Sequence, residues 1–153
     1  IIAEEFLDGA PSCLVLGDNL FFGHNLAQTL EAAAARTEGA TVFGYQVADP
    51  ERYGVVEFDG DGKVLSIEEK PANPKTNYAV TGVYMYDSDV WDIVRTLKPS
   101  GRNELEITDV NNAYVAAGRL CCDIVEGWWT DAGTFESLSR ASNLVAEMRR
   151  QHK

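Results

Sequence analysis

The chain has 153 residues, a length typical of about one domain, and its 45% hydrophobic and 24% charged residues are the composition of an ordinary globular protein. Its formal net charge of −11, from 13 basic and 24 acidic residues, argues against nucleic acid as a partner, because duplex binding needs clustered Lys and Arg. No apolar run approaches the ~18 residues of a membrane-spanning helix, so no membrane association is expected.

The N-terminal third predicts strands separated by a helix. Residues 1–7 have the spacing of an amphipathic helix already under way, and the missing initiator Met fits a clipped, engineered or partial chain. The apolar run 12–16 predicts a buried strand that ends in a Gly-Asp-Asn turn. Asn25 is a predicted helix cap, with a glutamine three residues on as in a capping box, and residues 40–47 predict a second strand. This order predicts a parallel pair with a right-handed crossover.

The middle of the chain predicts a hairpin and then another strand. Two alternating segments, 55–58 and 63–67, flank Asp-Gly-Asp-Gly, and Asp-Gly steps of this kind are typical of hairpin turns. Residues 78–86 predict the next strand. The remaining pattern predicts a helix capped by Ser88, a helix over 107–117, a strand over 120–125 and a last helix capped by Thr134.

These elements predict an α/β fold with a mainly parallel, mixed sheet and an inserted β-hairpin region, as one portion of a single domain over residues 1–153. In such sheets, ligands bind in the crevice at the carboxyl ends of the strands. The three cysteines make a poor disulfide framework, because the count is odd and two are adjacent. We expect Cys13 and Cys121 to be reduced core residues of a cytoplasmic protein.

Two aspartates at predicted strand ends are the candidate metal ligands. Asp18 follows the first strand in Leu-Gly-Asp-Asn, and Asp131 precedes a helix in Thr-Asp-Ala-Gly-Thr. Either one could instead be an ordinary turn residue. Together, at the carboxyl ends of two strands, they could converge on one hard cation such as Mg²⁺, which prefers one or two carboxylates plus phosphate and water.

Further candidates lie in the hairpin and in the loop before it. Glu69 could accept sugar hydroxyls and Lys70 could hold a phosphate, or both could belong to a solvated sheet edge. Tyr53, next to Gly54, could stack on a sugar or cover the core. The tryptophans at 128–129 are interpreted as core or interface residues.

Five segments, in order, carry a family resemblance. They are L-G-D-N-L-F-F-G-H at 16–24, D-P-E-R-Y-G-V-V-E-F at 49–58, E-E-K-P at 68–71, N-Y-A-V-T-G-V-Y at 77–84 and E-L-E-I-T-D-V-N at 104–111. Together they resemble the sugar-1-phosphate nucleotidyltransferases, and among these the glucose-1-phosphate thymidylyltransferases, over about residues 10–145.

The resemblance implies a Rossmann-like nucleotidyltransferase fold, a Mg²⁺ cofactor, glucose 1-phosphate and dTTP as substrates, and a homo-oligomer, tetramer or dimer, at full length. It matches Asp18 and Asp131 to the metal ligands, and these two with Lys70 to the catalytic residues. It matches the sugar-phosphate pocket to Tyr53, Gly54, Glu69, Lys70, Val80, Tyr84 and Arg102. The implied reaction needs no general base, because the attacking phosphate oxygen is already an anion.

Three departures from the family pattern also shape the expectations. The glycine-rich nucleotide loop would lie before residue 1, the approach to Asp131 is shorter than usual, and the C-terminal regulatory segment is missing or short. The chain alone is therefore expected to be inactive.

The nucleotide and the class of protein both stay open at this point. UTP could replace dTTP, since the base-contacting residues would precede residue 1. The chain could also be a phosphoacceptor receiver domain, a class that likewise has an Asp at a strand end and a later Lys-Pro. A third possibility is a binding fragment without catalytic activity.

Overall fold

The computed structural model describes residues 3–23, 25–101 and 103–151. In chain order its elements are α1 (Glu4–Leu7), β1 (Ser12–Val15), β2 (Asn19–Phe22), α2 (Leu26–Ala34), β3 (Ala40–Gln46), a 3₁₀ turn (Pro50–Arg52), β4 (Gly54–Phe58), β5 (Val64–Glu69), β6 (Tyr78–Tyr86), α3 (Val90–Thr96), α4 (Ile107–Ala116), β7 (Leu120–Ile124), β8 (Trp128–Asp131) and α5 (Phe135–Gln151). Within these ranges, no helix combines the length and the apolar character that a bilayer crossing requires.

A six-stranded sheet forms the centre of the fold. Its order is β5-β4-β6-β3-β7, with β1 also paired to β6, while β2 and β8 form a separate two-stranded sheet. Four of the six strands, β1, β3, β4 and β7, run in one direction, and β5 and β6 run in the other. The predicted α/β class, the mixed sheet and the hairpin of β4 and β5 are confirmed.

The neighbours of β6 differ from the prediction. β1 and β3 run in the same direction but are not adjacent, because β6 lies between them and is antiparallel to both. Among the described strand pairs of this sheet, the parallel one is that of β3 with β7. The physical reason is burial: β6 is apolar over most of its nine residues and nearly all of them are buried, which favours a central position.

One edge of β6 is only partly covered by strands. β3 pairs along the other edge, so β1 and β4 share this one. β1 pairs with residues 83–86 of β6, whereas β4 pairs at Ala79. The edge between them, around Val80 to Gly82, is left for side chains and loops, and the candidate site forms beside it.

The helix caps show where local patterns decide structure. Thr134 and Ser137 bond reciprocally at the start of α5, with the Ser137 N–H donating to Thr134 Oγ1 at 3.2 Å and the Thr134 N–H donating to Ser137 Oγ at 3.1 Å. The predicted Thr134 cap is confirmed. The Asn25 cap is wrong, because the Asn25 side chain accepts no hydrogen bond from the N–H groups of the first helical turn, and its amide donates to Glu126 Oε2 at 3.2 Å.

The cysteines are free, but the core prediction for two of them is wrong. Cys13 and Cys121 are exposed, whereas Cys122 is partly buried and packs against the larger core. Strand alternation explains the difference on β7, because neighbouring residues point to opposite faces of the sheet.

Candidate active site

The two predicted metal ligands lie together. Asp18 is in the turn between β1 and β2, and Asp131 is the last residue of β8. A Cβ atom on Gly133 would lie 2.9 Å from Oδ2 of Asp18 and 3.0 Å from Oδ1 of Asp131. Both carboxylates therefore border the same small space, which Gly133 keeps open.

The way in which these carboxylates meet differs from the prediction. Each aspartate follows or ends a strand as predicted, but Asp18 comes after β1 of the main sheet, whereas Asp131 ends β8 of the separate two-stranded sheet. The β2 and β8 strands pair antiparallel, with Asn19 opposite Asp131, and the Ala132 N–H donates to the Asp18 carbonyl oxygen at 2.8 Å. Because antiparallel strands bring the start of one beside the end of the other, this short ladder places the two aspartates side by side.

The pair has the donor chemistry of a hard-cation site. Both contributions are carboxylate oxygens, which suit Mg²⁺, and this cation usually keeps water and substrate phosphate as its other ligands. Within the part of the chain that the structure describes, no group of three or more His, Cys, Asp or Glu side chains is placed to hold a metal. The two carboxylates match the number of protein ligands that Mg²⁺ commonly takes.

A second cluster surrounds Glu69 at the end of the β5 strand. Gly54 pairs with Glu69, and a Cβ atom on Gly54 would lie 3.3 Å from Glu69 Oε2. The Thr108 hydroxyl, in the first turn of α4, donates to the same oxygen at 2.7 Å. Glu69 and Thr108 line a cavity of about 310 Å³. Gly54 and Glu69, both of which the resemblance matches to the sugar-phosphate pocket, are thus neighbours in the fold.

Val80 and Tyr84, two further predicted pocket residues, both lie on β6. Both are buried, and both belong to the larger core cluster. Burial, with a smaller contribution from the charge of Glu69, raises the pKa of Tyr84 from 10.0 to about 12. The phenol is therefore neutral at physiological pH and lies close enough to Glu69 to sense its charge.

Lys70 is held in an unusual backbone conformation beside this cluster. Its φ of 45° lies in the left-handed region, which costs a non-glycine residue about 1 kcal/mol or more. Its N–H donates to the Tyr53 carbonyl oxygen at 2.9 Å, while Nζ is half-exposed and 4.0 Å from Glu69 Oε1. A cation open to solvent thus lies next to the Glu69 carboxylate. Arg102, the other predicted cation, lies outside the described residues.

Tyr53 and Trp129 connect the two clusters. Their ring centroids are 5.2 Å apart in an edge arrangement. Burial, together with the negative charges of Asp49 and Asp131, raises the pKa of Tyr53. The charge of Asp131 thus reaches the Tyr53 ring, while the Tyr53 backbone bonds to Lys70.

The chain matches the family model described as nucleotidyl transferase over residues 1–148. It belongs to the nucleotidyl transferase family. It is 56% identical over 147 residues to a glucose-1-phosphate thymidylyltransferase from Xanthomonas campestris pv. campestris (strain B100), which covers 95% of this chain. The chain spans 50% of the length of that relative.

Two solved structures of nucleotidyl transferases share the fold. A Bacillus anthracis protein assigned as a glucose-1-phosphate thymidylyltransferase, in complex with a sucrose, has a TM-score of 0.82 at 46% identity and covers 94% of this chain and 57% of its own. A UDP-glucose pyrophosphorylase complexed with UDP-glucose has a TM-score of 0.83 at 25% identity, over 95% of this chain and 60% of its own. The predicted Rossmann-like nucleotidyltransferase fold is confirmed.

Sequence reasoning missed several residues that build this candidate site. Gly133 borders both carboxylates, and the Thr108 hydroxyl donates to Glu69. The Trp129 indole donates to Asn19, the neighbour of Asp18, and its ring packs edge-on against Tyr53. A signal existed for Gly133 and Asn19, since each follows a candidate aspartate within two residues. The roles of the predicted site residues in binding stay predictions.

Proposed function

We propose that this chain is the sugar-phosphate-binding part of a glucose-1-phosphate thymidylyltransferase, which forms dTDP-glucose and pyrophosphate from glucose 1-phosphate and dTTP. The observation that carries the proposal is the meeting of Asp18 and Asp131 around Gly133, joined through Tyr53 to the Glu69 cluster. Relatives named for this activity support it.

On the metal side, Asp18 and Asp131 would hold Mg²⁺. When bound, the ion neutralises charge on the phosphates and orients them for in-line attack. The Asp131 side chain is held in place, because its Oδ1 accepts the Gly133 N–H at 2.6 Å. The short side chains and the glycine leave the ion room for phosphate and water as further ligands.

On the sugar side, the fold presents one carboxylate and one cation. Glu69 would accept hydrogen bonds from sugar hydroxyls, and its bond from Thr108 fixes the rotamer in which it does so. Lys70 would hold the sugar phosphate as a point charge, since its half-exposed Nζ lies 4.0 Å from Glu69 Oε1. Tyr53 would lie between the sugar and the carboxylate pair.

The proposed reaction brings two anions together. An oxygen of the glucose 1-phosphate attacks the α-phosphorus of dTTP, the new P–O bond forms, and the bond to the pyrophosphate breaks. Two unit charges about 4 Å apart repel by about 4 kcal/mol at an effective dielectric constant of 20, so charge neutralisation is the main requirement. Lys70 addresses this from the protein, and the attacking anion needs no side chain to remove a proton.

The decisive experiment measures Mg²⁺-dependent pyrophosphate release by the full-length gene product, with glucose 1-phosphate and dTTP. Asp18→Asn and Asp131→Asn should each lower kcat/KM by about 100-fold or more, since they remove a ligand and not just its support. Asp61→Asn, an exposed carboxylate in the hairpin turn, is the matched control and should be unaffected. Unchanged turnover in Asp18→Asn would reject the proposal.

UTP is the second candidate nucleotide, favoured by the likeness to the UDP-glucose pyrophosphorylase. The thymidylyltransferase relative is the more similar sequence, so we propose dTTP and expect the higher kcat/KM with it in the same assay. We further propose a cytoplasmic location and a homo-oligomeric full-length protein. Light scattering, which measures the molar mass in solution, tests the oligomeric state.

A further inference from the structure

The Asn19 side chain, next to Asp18 in the sequence, lies against the edge of the β6 strand that β1 and β4 leave unpaired. Its Oδ1 accepts the Gly82 N–H at 3.0 Å and the Trp129 indole N–H at 2.6 Å. Its Nδ2 donates to Oδ1 of Asp18 at 2.9 Å. One amide thus joins the central sheet, the β8 strand and the candidate metal ligand.

The orientation of this amide is fixed by its partners. The Gly82 N–H and the Trp129 indole N–H can only donate, so only the oxygen of Asn19 can face both of them. A flipped amide would set its NH₂ group against two donors and lose both bonds. Nδ2 is therefore forced towards the Asp18 carboxylate.

The fit also requires glycine at position 82. A Cβ atom there would lie 2.5 Å from Cγ of Asn19 and 2.6 Å from both Nδ2 and Oδ1. The amide is thus packed against bare backbone, where any larger residue would push it away. Gly82 provides a steric reason for the Asn19 position that is independent of the hydrogen bonds.

We propose that Asn19 is a positioning residue that orients the Asp18 carboxylate for the cation. By occupying Oδ1, the amide turns Oδ2 towards the space at Gly133 that Asp131 shares. Trp129 completes the support, because its indole holds the amide and it lies two residues before Asp131 on β8. This inference rests on the proposed function, since it assigns a support to its metal site.

The test is Mn²⁺ affinity of the full-length gene product, measured from the EPR signal of free Mn²⁺ at a temperature where every variant is folded. Asn19→Ala should raise the Mn²⁺ Kd by about 10- to 100-fold, the usual effect of removing a group that orients a metal ligand. Trp129→Phe keeps a ring but removes the N–H, and should weaken binding in the same direction by a smaller factor.

Trp128→Phe is the matched control for the neighbouring tryptophan. Its indole N–H donates to Met148 Sδ at 2.9 Å and does not reach Asn19, so the Mn²⁺ Kd should stay within about twofold of wild type. Gly82→Ala gives an independent variant, because it displaces the Asn19 amide while leaving both metal ligands intact. It should weaken Mn²⁺ binding as Asn19→Ala does.

The outcomes separate the inference from the proposed function. If Asn19→Ala lowers only the melting temperature and leaves the Mn²⁺ Kd unchanged, Asn19 is a structural anchor and the inference is wrong. Asp18→Asn serves as the reference in the same titration. Loss of Mn²⁺ binding in Asp18→Asn, with normal binding in Asn19→Ala, rejects the inference alone, whereas normal binding in Asp18→Asn rejects the metal site itself.

Discussion

The substitution Gly133→Ala tests the carboxylate pair by filling the space between its members. The new Cβ would lie 2.9 Å from Oδ2 of Asp18 and 3.0 Å from Oδ1 of Asp131, closer than carbon and oxygen normally approach. Both obstacles are the ends of short side chains at an exposed position, so the carboxylates can rotate away and the fold can accept the methyl group. The methyl group should interfere more with metal binding, because the cation needs those same carboxylate oxygens in place.

The expected effects on stability and on metal affinity have opposite signs. Gly133 has no left-handed φ, so alanine is sterically compatible with its backbone, and the unfolded state should lose entropy worth about 0.4–1 kcal/mol. Relieving the two close contacts should cost about 1–3 kcal/mol whenever the carboxylates are held on a cation. At 1.4 kcal/mol for each factor of ten, this corresponds to roughly a five- to 140-fold rise in the Mn²⁺ Kd.

The assay pairs urea denaturation with Mn²⁺ titration, and Gly17→Ala serves as the matched control. Gly17 precedes Asp18 and its Cβ would meet nothing within 4 Å, so this variant should bind Mn²⁺ as wild type does. A Gly133→Ala protein with wild-type Mn²⁺ affinity would refute the reasoning, because two carboxylates that tolerate a methyl group between them cannot be sharing an ion there.

Three further predictions concern stability, pH and thiol chemistry. Tyr114→Phe removes a hydroxyl that donates to the buried Asp87 at 2.6 Å, and should lower the free energy of unfolding in urea by about 1–3 kcal/mol; a change below about 0.5 kcal/mol would contradict this. The pKa of Tyr84 is raised from 10.0 to about 12, mainly by burial and secondly by Glu69, so the folded state binds this proton more tightly than the unfolded one. Its contribution to stability is therefore complete below about pH 10 and is lost as the pH rises to about 12; urea titrations should show a shallower alkaline loss in Tyr84→Phe, and an unchanged slope would contradict the assignment. Burial raises the pKa of the Cys122 thiol to about 12, so at pH near 8 a thiol reagent followed by mass spectrometry should modify it more slowly than the two exposed cysteines, and equal rates would contradict its burial.

Sequence patterns predicted the elements of this chain well because those patterns are local. Strand β6 occupies residues 78–86 as predicted, and the Asp-Gly turn does join two antiparallel strands. Thr134 caps the last helix because its partner is three residues away. The Asn25 cap failed for the complementary reason, since its amide meets Glu126, which is 101 residues distant in the sequence.

The candidate site was predicted only in part. Residue types suggested that Asp18 and Asp131 form a pair, and the fold places them together. The β2 strand was missed, and with it the antiparallel ladder that brings them into contact. Asn19 and Trp129, which are 110 residues apart, gave no local signal that one holds the other.

The sequence by itself determined the helices, most strands, the hairpin and the residue types of the site, because periodicity and turn chemistry act over a few residues. Tertiary structure alone decided that β6 separates β1 from β3, and that an edge left open there admits the Asn19 amide. Both features depend on which distant strands share a hydrogen-bonded edge. That choice is made by burial of the whole sheet, and no short stretch of residues encodes it.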